Sequence, residues 1–239
     1  MPPAPVASRP PRQQHLLSAG NTKLGPSIRS FSLPHGTDRD CPGRTAVCTR
    51  LCYVSRYTQR FALSYQGNRD QADRADFVQR MTAEARLYRT VRVHTAGDFY
   101  SAEYVRKWIQ IARGSPHTLF YAYTRSWRGG DSRLLEALVE LSRLPNTVVN
   151  ISTDRDTGIP GWLHQAFGGW RRLVYMAVDD QDIPRDLQGQ PERVQIVFRV
   201  KRSTVRAKQG GSTVCPAENG ISDNSVTCER CRLCFRGKD

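Results

Sequence analysis

Seven cysteines fall into two groups, near the two ends of the 239-residue chain. The first group, which we call the trio, is Cys41, Cys48 and Cys52; the second, the quartet, is Cys215, Cys228, Cys231 and Cys234. Grouped thiols in a sequence without a secretory signal pattern are typical of metal ligands rather than disulfides. Four thiolates complete a coordination shell, whereas three leave one position open. We therefore expect one closed and one open metal centre.

The trio has the spacing C-x6-C-x3-C. Cys48 and Cys52 are four residues apart and face the same way if this stretch is helical, while a turn at Pro42-Gly43 can bring Cys41 back toward them. Thiolate ligands select zinc, copper(I) or an iron–sulfur cluster. A cluster held by three cysteines would leave one iron free to bind another molecule. The alternative is that these are ordinary buried thiols.

The quartet has the spacing C-x12-C-x2-C-x2-C. Overlapping C-x2-C steps turn the chain around one centre and favour a 4Fe-4S cluster. Structural zinc is the competing interpretation, because tetrahedral four-thiolate zinc sites use C-x2-C pairs too. Ligands from both groups could also meet at a single centre. We therefore expect one or two clusters, with zinc as the alternative at the C-terminal site.

The elements that must position these groups follow an alternating pattern. Runs rich in β-branched and aromatic residues predict strands over 28–33, 91–95, 118–123, 147–152, 173–178 and 194–200. Apolar residues at spacings of three and four predict helices over 75–88, 102–113 and 134–144. This alternation predicts an α/β fold with parallel strands and crossover helices. It fits a partial barrel as well as a doubly wound sheet.

The sequence divides into three parts by composition. Residues 1–22 are rich in Pro, Ala and Arg and predict a flexible basic arm. The α/β domain would cover 23–202, and a cysteine-rich metal-binding segment would cover 203–239. No apolar run approaches the ~18 residues of a membrane span. We therefore expect a cytoplasmic protein with no membrane partner.

Polar residues follow several of the predicted strands. Because the carboxyl ends of parallel strands gather on one face, where ligands bind, Asp98, Arg125 and Asp154 are candidate cofactor contacts. Gly97 precedes Asp98 and would let the backbone approach a ligand closely. The alternative is that these strands simply end in polar loops.

His94 lies inside a predicted strand, where alternation places it on the same face as Arg92. Near a cluster, such a histidine could act as a ligand or a proton donor. The alternative is a hydrogen-bonded histidine of the core.

The chain is strongly basic, with 36 Lys and Arg against 22 Asp and Glu and a formal net charge of +14. Such a balance favours contact with polyanions, so nucleic acid is a candidate partner. The candidate contacts are Arg199, Lys201, Arg202, Arg206 and Lys208. A solvated basic loop is the alternative interpretation.

A strand, a three-cysteine loop and then alternating strands and helices resemble the radical S-adenosylmethionine (SAM) enzymes. That family usually has C-x3-C-x2-C with an aromatic residue beside the last cysteine. Here Tyr53 follows Cys52, and the resemblance makes Tyr53 a candidate cofactor contact. Residues 95–99 occupy the place of the family's glycine-rich motif, with Gly97 and Asp98 where the amino group of SAM would be held.

The resemblance to radical SAM enzymes implies a partial (β/α)6 barrel with a cysteine-rich C-terminal extension. It implies a SAM-binding cluster at the trio, an auxiliary centre at the quartet and an electron donor as partner. The implied activity is reductive cleavage of SAM on an unknown substrate. The competing hypothesis is a non-enzymatic, basic metal-binding protein that binds nucleic acid or acts in regulation or redox sensing.

Over most of its length the chain also resembles the gene product 88 family of mycobacteriophages and actinobacteria. The residues that carry this resemblance are Cys41-Pro-Gly, Cys48, Cys52-Tyr53, the blocks 91–101 and 120–126, Cys215-Pro, Cys228, Cys231 and Cys234. The resemblance implies no particular activity. It implies that both cysteine groups are parts of a single functional arrangement.

Overall fold

The computed structural model of the protein describes residues 15–52, 54–55, 58–167, 172–178, 196–199, 208–209, 212–216 and 226–236. Its strands are β1 Arg29–Phe31, β2 Thr90–Val93, β3 Leu119–Thr124, β4 Thr147–Thr153, β5 Leu173–Ala177, β6 Ile196–Arg199, β7 Lys208–Gln209 and β8 Ser212–Val214. Its α-helices are α1 Ala46–Leu51, α2 Thr58–Asp73, α3 Phe77–Ala85, α4 Ala102–Gly114, α5 Ser132–Arg143, α6 Leu163–Ala166 and α7 Cys228–Cys231. Ser126–Arg128 and Leu233–Phe235 form 3-10 helices.

The first six strands form a parallel sheet in which spatial order follows chain order, from β1 to β6. Strand β8 continues the sheet parallel to β6, and β7 runs antiparallel at its edge. A doubly wound sheet requires the strand order to reverse at a switch point. The sequential order therefore rules out that alternative and leaves a singly wound α/β sheet. The six predicted strands and the helices that became α3, α4 and α5 are confirmed.

One face of the sheet, which we call the helix face, is covered by α3, α4 and α5. Crossovers between sequential parallel strands share one hand, so their helices lie on the same side. The apolar stripe of each helix packs on alternate residues of the strands. Trp108 of α4 joins the two layers, with its ring 5.9 Å from Phe31, 6.1 Å from Phe77 and 6.1 Å from Phe120.

The opposite face, which we call the inner face, is covered by the C-terminal segment. Tyr121 of β3 packs against Phe235, with ring centroids 4.7 Å apart, and Ile196 of β6 packs against Cys215. Parallel sheets are normally buried on both faces. Here the second cover is a short cysteine-containing segment.

Part of the predicted N-terminal arm packs on the domain. Residues 1–14 lie outside the described residues, but Leu16 and Leu17 are buried in the core. Their backbone amides donate to the carboxylate of Glu84 at 2.7 and 3.1 Å, and Ser18 forms an antiparallel bridge with Ser30. Leu16 and Leu17, which the predicted arm 1–22 included, therefore pack on the domain.

The chain changes direction after β2. His94 has a positive φ of 64°, and its ring lies on the helix face against Phe99 and Tyr104. Arg92 instead points to the inner face, where its guanidinium lies 4.2 Å from the ring centroid of Tyr123. The prediction that Arg92 and His94 share a face was wrong, because a left-handed residue interrupts strand alternation. His94 Nε2 lies 2.9 Å from the Tyr104 hydroxyl, which confirms the hydrogen-bonded core histidine.

Candidate functional site

A turn and a short helix bring the trio together. The amide of Arg44 donates to the carbonyl of Cys41 at 3.0 Å, and the hydroxyl of Thr45 caps α1 by accepting from the amide of Cys48 at 2.9 Å. Cys48 then lies in the first turn of α1, and Cys52 caps its C-terminal end. The thiol of Cys41 lies near enough to those of Cys48 and Cys52 for their charges to act on its pKa.

Hydrogen bonds fix this cysteine loop over the carboxyl ends of the strands. The hydroxyl of Thr45 donates to Asp154, directly after β4, at 2.8 Å, and an amide of α1 donates to Asp156 at 2.8 Å. The amide of Asp98, in the loop after β2, donates to the carbonyl of Asp40 at 3.1 Å. The trio therefore lies at the sheet edge where parallel α/β folds bind their ligands.

The environment of the trio opposes ionisation of two of its thiols, those of Cys41 and Cys48. Burial raises the pKa of Cys41 to about 12, and the nearby Asp98 carboxylate acts in the same direction. Burial also raises the pKa of Cys48, while the positive charge of Arg125 lowers it. Because the thiolate is the form that binds metal, a metal would displace protons from these groups.

Asp98 and Gly97, both predicted cofactor contacts, join the loops at this edge. The Asp98 carboxylate accepts hydrogen bonds from the hydroxyl of Thr124 at 2.7 Å and from the amides of the next residue and of Arg125 at 2.7 and 2.8 Å. Burial raises its pKa, and these hydrogen bonds act in the opposite direction. Gly97 has a φ of 76°, and a Cβ there would lie 2.6 Å from the carbonyl oxygen of Pro34. Because Gly97 has no side chain, the loop after β1 can approach its backbone closely.

Arg125 and Asp154, also predicted cofactor contacts, form a buried ion pair. Arg125 Nη1 lies 3.0 Å from Asp154 Oδ2, and the two side chains are 7% and 0% exposed. Arg125 Nη2 also donates to the hydroxyl of Ser152 at 3.0 Å. Buried charges require such partners to offset their lost hydration. The pair links the ends of β3 and β4 to the cap of α1 and places a positive charge beside Cys48.

The quartet surrounds one apolar pocket beneath the inner face. All four of its thiols line this pocket, together with apolar side chains that include Ile196 and Leu233. Helix α7 carries Cys228 and Cys231, and Arg232 then adopts a positive φ of 56°, which turns the chain so that Cys234 follows in a 3-10 helix. The structure therefore brings the four C-terminal cysteines to one place.

Backbone hydrogen bonds attach the C-terminal segment to the rest of the domain. The amide of Cys228 donates to the carbonyl of Lys23 at 2.8 Å, and Cys215 donates to Val197 of β6 at 2.9 Å. The side-chain amide of Asn150, from β4, donates to the carbonyl of Cys234 at 3.0 Å. Each contact crosses a long sequence separation, so the segment belongs to the fold of the domain.

Burial raises the pKa of two thiols of the quartet, Cys228 and Cys234, that of Cys234 to about 11. A hydrogen bond with Tyr123 acts in the opposite direction on Cys234. The positive charges of Lys23 and Arg92 act in the opposite direction on Cys228, whose pKa burial raises. Tyrosine, lysine and arginine side chains thus surround the thiols on the sheet side.

No group of three or more His, Cys, Asp or Glu side chains in the described part of the chain is arranged to hold a metal ion. No helix in the described ranges is long and apolar enough to cross a membrane.

Several predicted contacts fall outside the described residues: Tyr53, Lys201, Arg202 and Arg206. Arg199 ends β6 and Lys208 begins β7. The nucleic-acid surface therefore stays a prediction.

Sequence reasoning missed an ion pair that supports the trio. Arg69 of α2 donates to Asp40, the residue before Cys41, at 3.0 Å, and its guanidinium lies 3.3 Å from the ring centroid of Tyr100. No residue near Arg69 in the sequence indicates this role, because its partners Asp40 and Tyr100 are distant along the chain. The cap at Thr45 had a local signal, since threonine is a favoured residue directly before a helix.

Comparisons with known proteins match the chain along nearly all of its length. The Gene 88 protein of Mycobacterium phage L5 is 26% identical over 246 residues, which cover 94% of this chain and 89% of that protein. The Gene 88 protein of Mycobacterium phage D29 is 24% identical over 245 residues, with the same coverage. No solved structure matches. The sequence profile of the family described as Gene product 88 matches residues 11–237 and so includes both cysteine groups. The chain belongs to the Gene product 88 family.

Proposed function

We propose that this protein is an iron–sulfur protein whose quartet holds a 4Fe-4S cluster. The observation that carries this proposal is the single apolar pocket lined by all four C-terminal thiols. Four thiolates are the usual ligand set of such a cluster. The ligands of a four-iron cluster bind different irons, so they do not meet at one point as the ligands of a zinc ion do. The nearby charges of Lys23 and Arg92 would offset the negative charge of the four thiolates.

We further propose that the trio holds a second cluster, whose open iron binds SAM. The nearness of the Cys41 thiol to those of Cys48 and Cys52, at the carboxyl edge of six sequential parallel strands, supports this assignment. The positive charge of Arg125 beside Cys48 also favours thiolate ligands there. When bound, such a cluster supplies the electron for reductive cleavage of SAM, and an electron donor protein would restore it.

The residues around the trio would act by positioning its ligands. Thr45 fixes the start of α1 against Asp154, and the Arg125–Asp154 pair holds the loops after β3 and β4 together. Asp98 joins the loops after β2 and β3 through hydrogen bonds to its carboxylate. These contacts would hold the cysteine loop in one conformation.

Metal analysis of protein purified without oxygen tests the two-centre proposal. We expect about eight irons and eight sulfides per chain and little zinc, since each cluster contains four of each. Cys48→Ala should remove the trio cluster alone, and Cys231→Ala the quartet cluster alone, so each should retain about four irons. Thr49→Ala and Arg230→Ala are matched controls, because both side chains are exposed neighbours of a cysteine. Loss of all iron from either cysteine variant would show instead that the groups share one centre.

The SAM proposal is tested by product analysis. Anaerobic protein with intact clusters, supplied with dithionite and SAM, should release 5′-deoxyadenosine, and Cys48→Ala should release none while its quartet cluster remains. Absence of 5′-deoxyadenosine from wild-type protein with full iron content would contradict the enzymatic proposal. It would favour the non-enzymatic alternative, in which the clusters serve redox sensing or structure.

A further inference from the structure

The first half of α2 lies at the protein surface, although it carries large apolar side chains. None of the side chains described between residues 60 and 68 is buried, whereas Arg69 and Ala72 of the second half are. Phe61 is 38% exposed and Leu63 is 90% exposed. A single exposed apolar side chain is ordinary. The arrangement of the residues around Phe61 is therefore the informative feature.

Phe61 belongs to a row of three rings. Tyr65 lies one helical turn further along the same side of α2, with its ring centroid 5.9 Å from that of Phe61. His35, from the loop after β1, continues the row, with its ring centroid 6.3 Å from that of Tyr65. Tyr65 and His35 are half-exposed. We call Phe61, Tyr65 and His35 the aromatic row; Leu63 does not belong to it, because residues two apart on a helix do not face each other.

The aromatic row lies beside positive charge. The side chain of Arg60 is exposed, and its guanidinium lies 5.5 Å from the ring centroid of Phe61. The segment 41–69 contains no Asp or Glu, and its basic residues are Arg44, Arg50, Arg56, Arg60 and Arg69. Asp40, directly before this segment, is paired with Arg69 at 3.0 Å. The surface therefore favours a negatively charged partner.

The sequence repeats the same combination of an aromatic residue and an arginine. Counting back from Phe61 in steps of four residues gives Tyr57 and Tyr53, and Arg56 precedes Tyr57 as Arg60 precedes Phe61. Tyr53, Arg56 and Tyr57 lie outside the described residues. Aromatic residues alternating with arginines are thus a property of this whole segment.

Polar contacts attach the second half of α2 to the domain and so fix the position of the aromatic row. Asn68 donates to the carbonyl of Ser32 at 2.8 Å. The guanidinium of Arg69, which pairs with Asp40, lies 3.3 Å from the ring centroid of Tyr100. A surface that is already ordered loses less conformational entropy when it binds a partner.

Exposed rings next to arginine side chains match the chemistry of single-stranded nucleic acid. Each unpaired base has a flat face that stacks on an aromatic ring, and arginine adds stacking and attraction to the phosphates. The bases of a duplex already stack on one another, so a duplex would gain only the attraction between charges. A purely apolar protein partner would leave the positive charge of Arg60 without a counterpart.

We propose that the aromatic row and Arg60 form a binding surface for single-stranded nucleic acid, on which bases stack while arginine attracts the phosphate backbone. These residues differ from the basic contacts that the sequence predicts after β6. The inference goes beyond the iron–sulfur proposal and does not depend on it, because no cysteine takes part.

Fluorescence anisotropy tests the proposal with the full chain, purified without oxygen, and a fluorescein-labelled oligo(dT) or oligo(U) strand at low salt. Binding of either strand is expected, and the tighter of the two identifies DNA or RNA as the partner. Phe61→Ala should weaken binding by about 5- to 100-fold through the loss of one stacked base. Phe61→Tyr, which keeps a ring, should retain the parent affinity. Leu63→Ala is the matched control, because Leu63 is a more exposed apolar residue of the same helix that has no ring.

A salt titration tests the role of Arg60. Arg60→Gln should lower the slope of the logarithm of affinity against the logarithm of salt concentration by about 0.7, the contribution of one phosphate contact in a single strand. Thermal unfolding at the parent temperature shows that each variant is folded.

Three results would overturn the inference: no binding of either strand, equal affinity of Phe61→Ala and its parent, or tighter binding of the corresponding duplex. Sedimentation showing a dimer that Phe61→Ala abolishes would also overturn it and identify a second copy of this chain as the partner. The iron content of the wild-type protein is measured separately, so failure of this inference leaves the iron–sulfur proposal intact.

Discussion

His94 shows how a single buried residue makes stability depend on pH. Its side chain is enclosed by the aromatic rings of Phe99, Tyr104 and Trp108, and its ring nitrogen Nε2 contacts the Tyr104 hydroxyl. Burial lowers the pKa of His94 to about 3, and the charge of Arg92 acts in the same direction. The folded state therefore keeps this imidazole neutral at pH values where an unfolded chain would protonate it.

This depressed pKa predicts a loss of stability in acid. An unfolded histidine titrates near 6.5, so the contribution of neutral His94 is complete above that pH and is lost as pH falls toward about 3. The slope should approach about 1.4 kcal/mol per pH unit. His94→Asn, which tolerates the left-handed backbone, removes this titration. Urea unfolding at pH 7 and pH 4.5 should show the stability gap between wild type and variant narrowing by about 2–3 kcal/mol.

A stability gap that stays constant between the two pH values would contradict the neutral, buried state of His94. The comparison uses differences between two proteins at each pH. Other titrating groups, such as the buried Asp98, therefore contribute equally to both and cancel.

At the scale of elements, the cysteine loop depends on close contact with the segment after β3. Gly43 is buried, and a Cβ at its position would lie 1.7 Å from the carbonyl oxygen of Arg125. The atom that would clash with this Cβ belongs to the backbone, which cannot move away by rotation as a side chain can. Arg128 strengthens the same contact by donating to the carbonyl of Arg44 at 3.0 Å.

Gly43→Ala should therefore lower the free energy of unfolding by about 1–3 kcal/mol, the usual cost of forcing an extra methyl group into a packed site. Gly67→Ala is the matched control, because no atom of the described residues lies within 4 Å of its added Cβ and it lies inside α2. That change should raise stability by about 0.5–1 kcal/mol through helix propensity. Urea unfolding of both variants is the measurement, and equal stabilities would contradict the close packing at Gly43.

Helix α2 shows why some helices cannot be predicted from the amino-acid sequence. Its sequence is largely polar, and Arg69 and Ala72 are its buried residues within the described part. It is held by polar contacts, including Asn68 donating to the carbonyl of Ser32 at 2.8 Å. Apolar periodicity cannot reveal a helix whose attachment is polar and whose partners are distant in sequence.

At the scale of the whole molecule, the sheet is covered by two very different layers. Helices α3, α4 and α5 bury one face with large apolar side chains. The inner face depends on short pieces such as Cys215 and 226–236, which offer far fewer apolar contacts. Under the iron–sulfur proposal, metal binding would supply part of the free energy that orders this second cover. The two cysteine groups then take different positions, one at the sheet edge and one on the inner face.

The amino-acid sequence determined the parts of this protein that depend on local pattern. The six strands, helices α3 to α5 and the division of the cysteines into trio and quartet all follow from spacing along the chain. Side-chain periodicity records which face of an element is buried, so these features can be predicted without the fold.

Only the tertiary structure decided which surfaces meet. It selected the singly wound strand order, placed the quartet beneath the inner face and turned His94 away from Arg92. It also engaged Asp98 in hydrogen bonds with the loops after β2 and β3. The physical reason is that these outcomes depend on contacts between residues far apart in sequence and on one left-handed backbone angle. Neither the contacts nor the backbone angle can be predicted from the local pattern of residues.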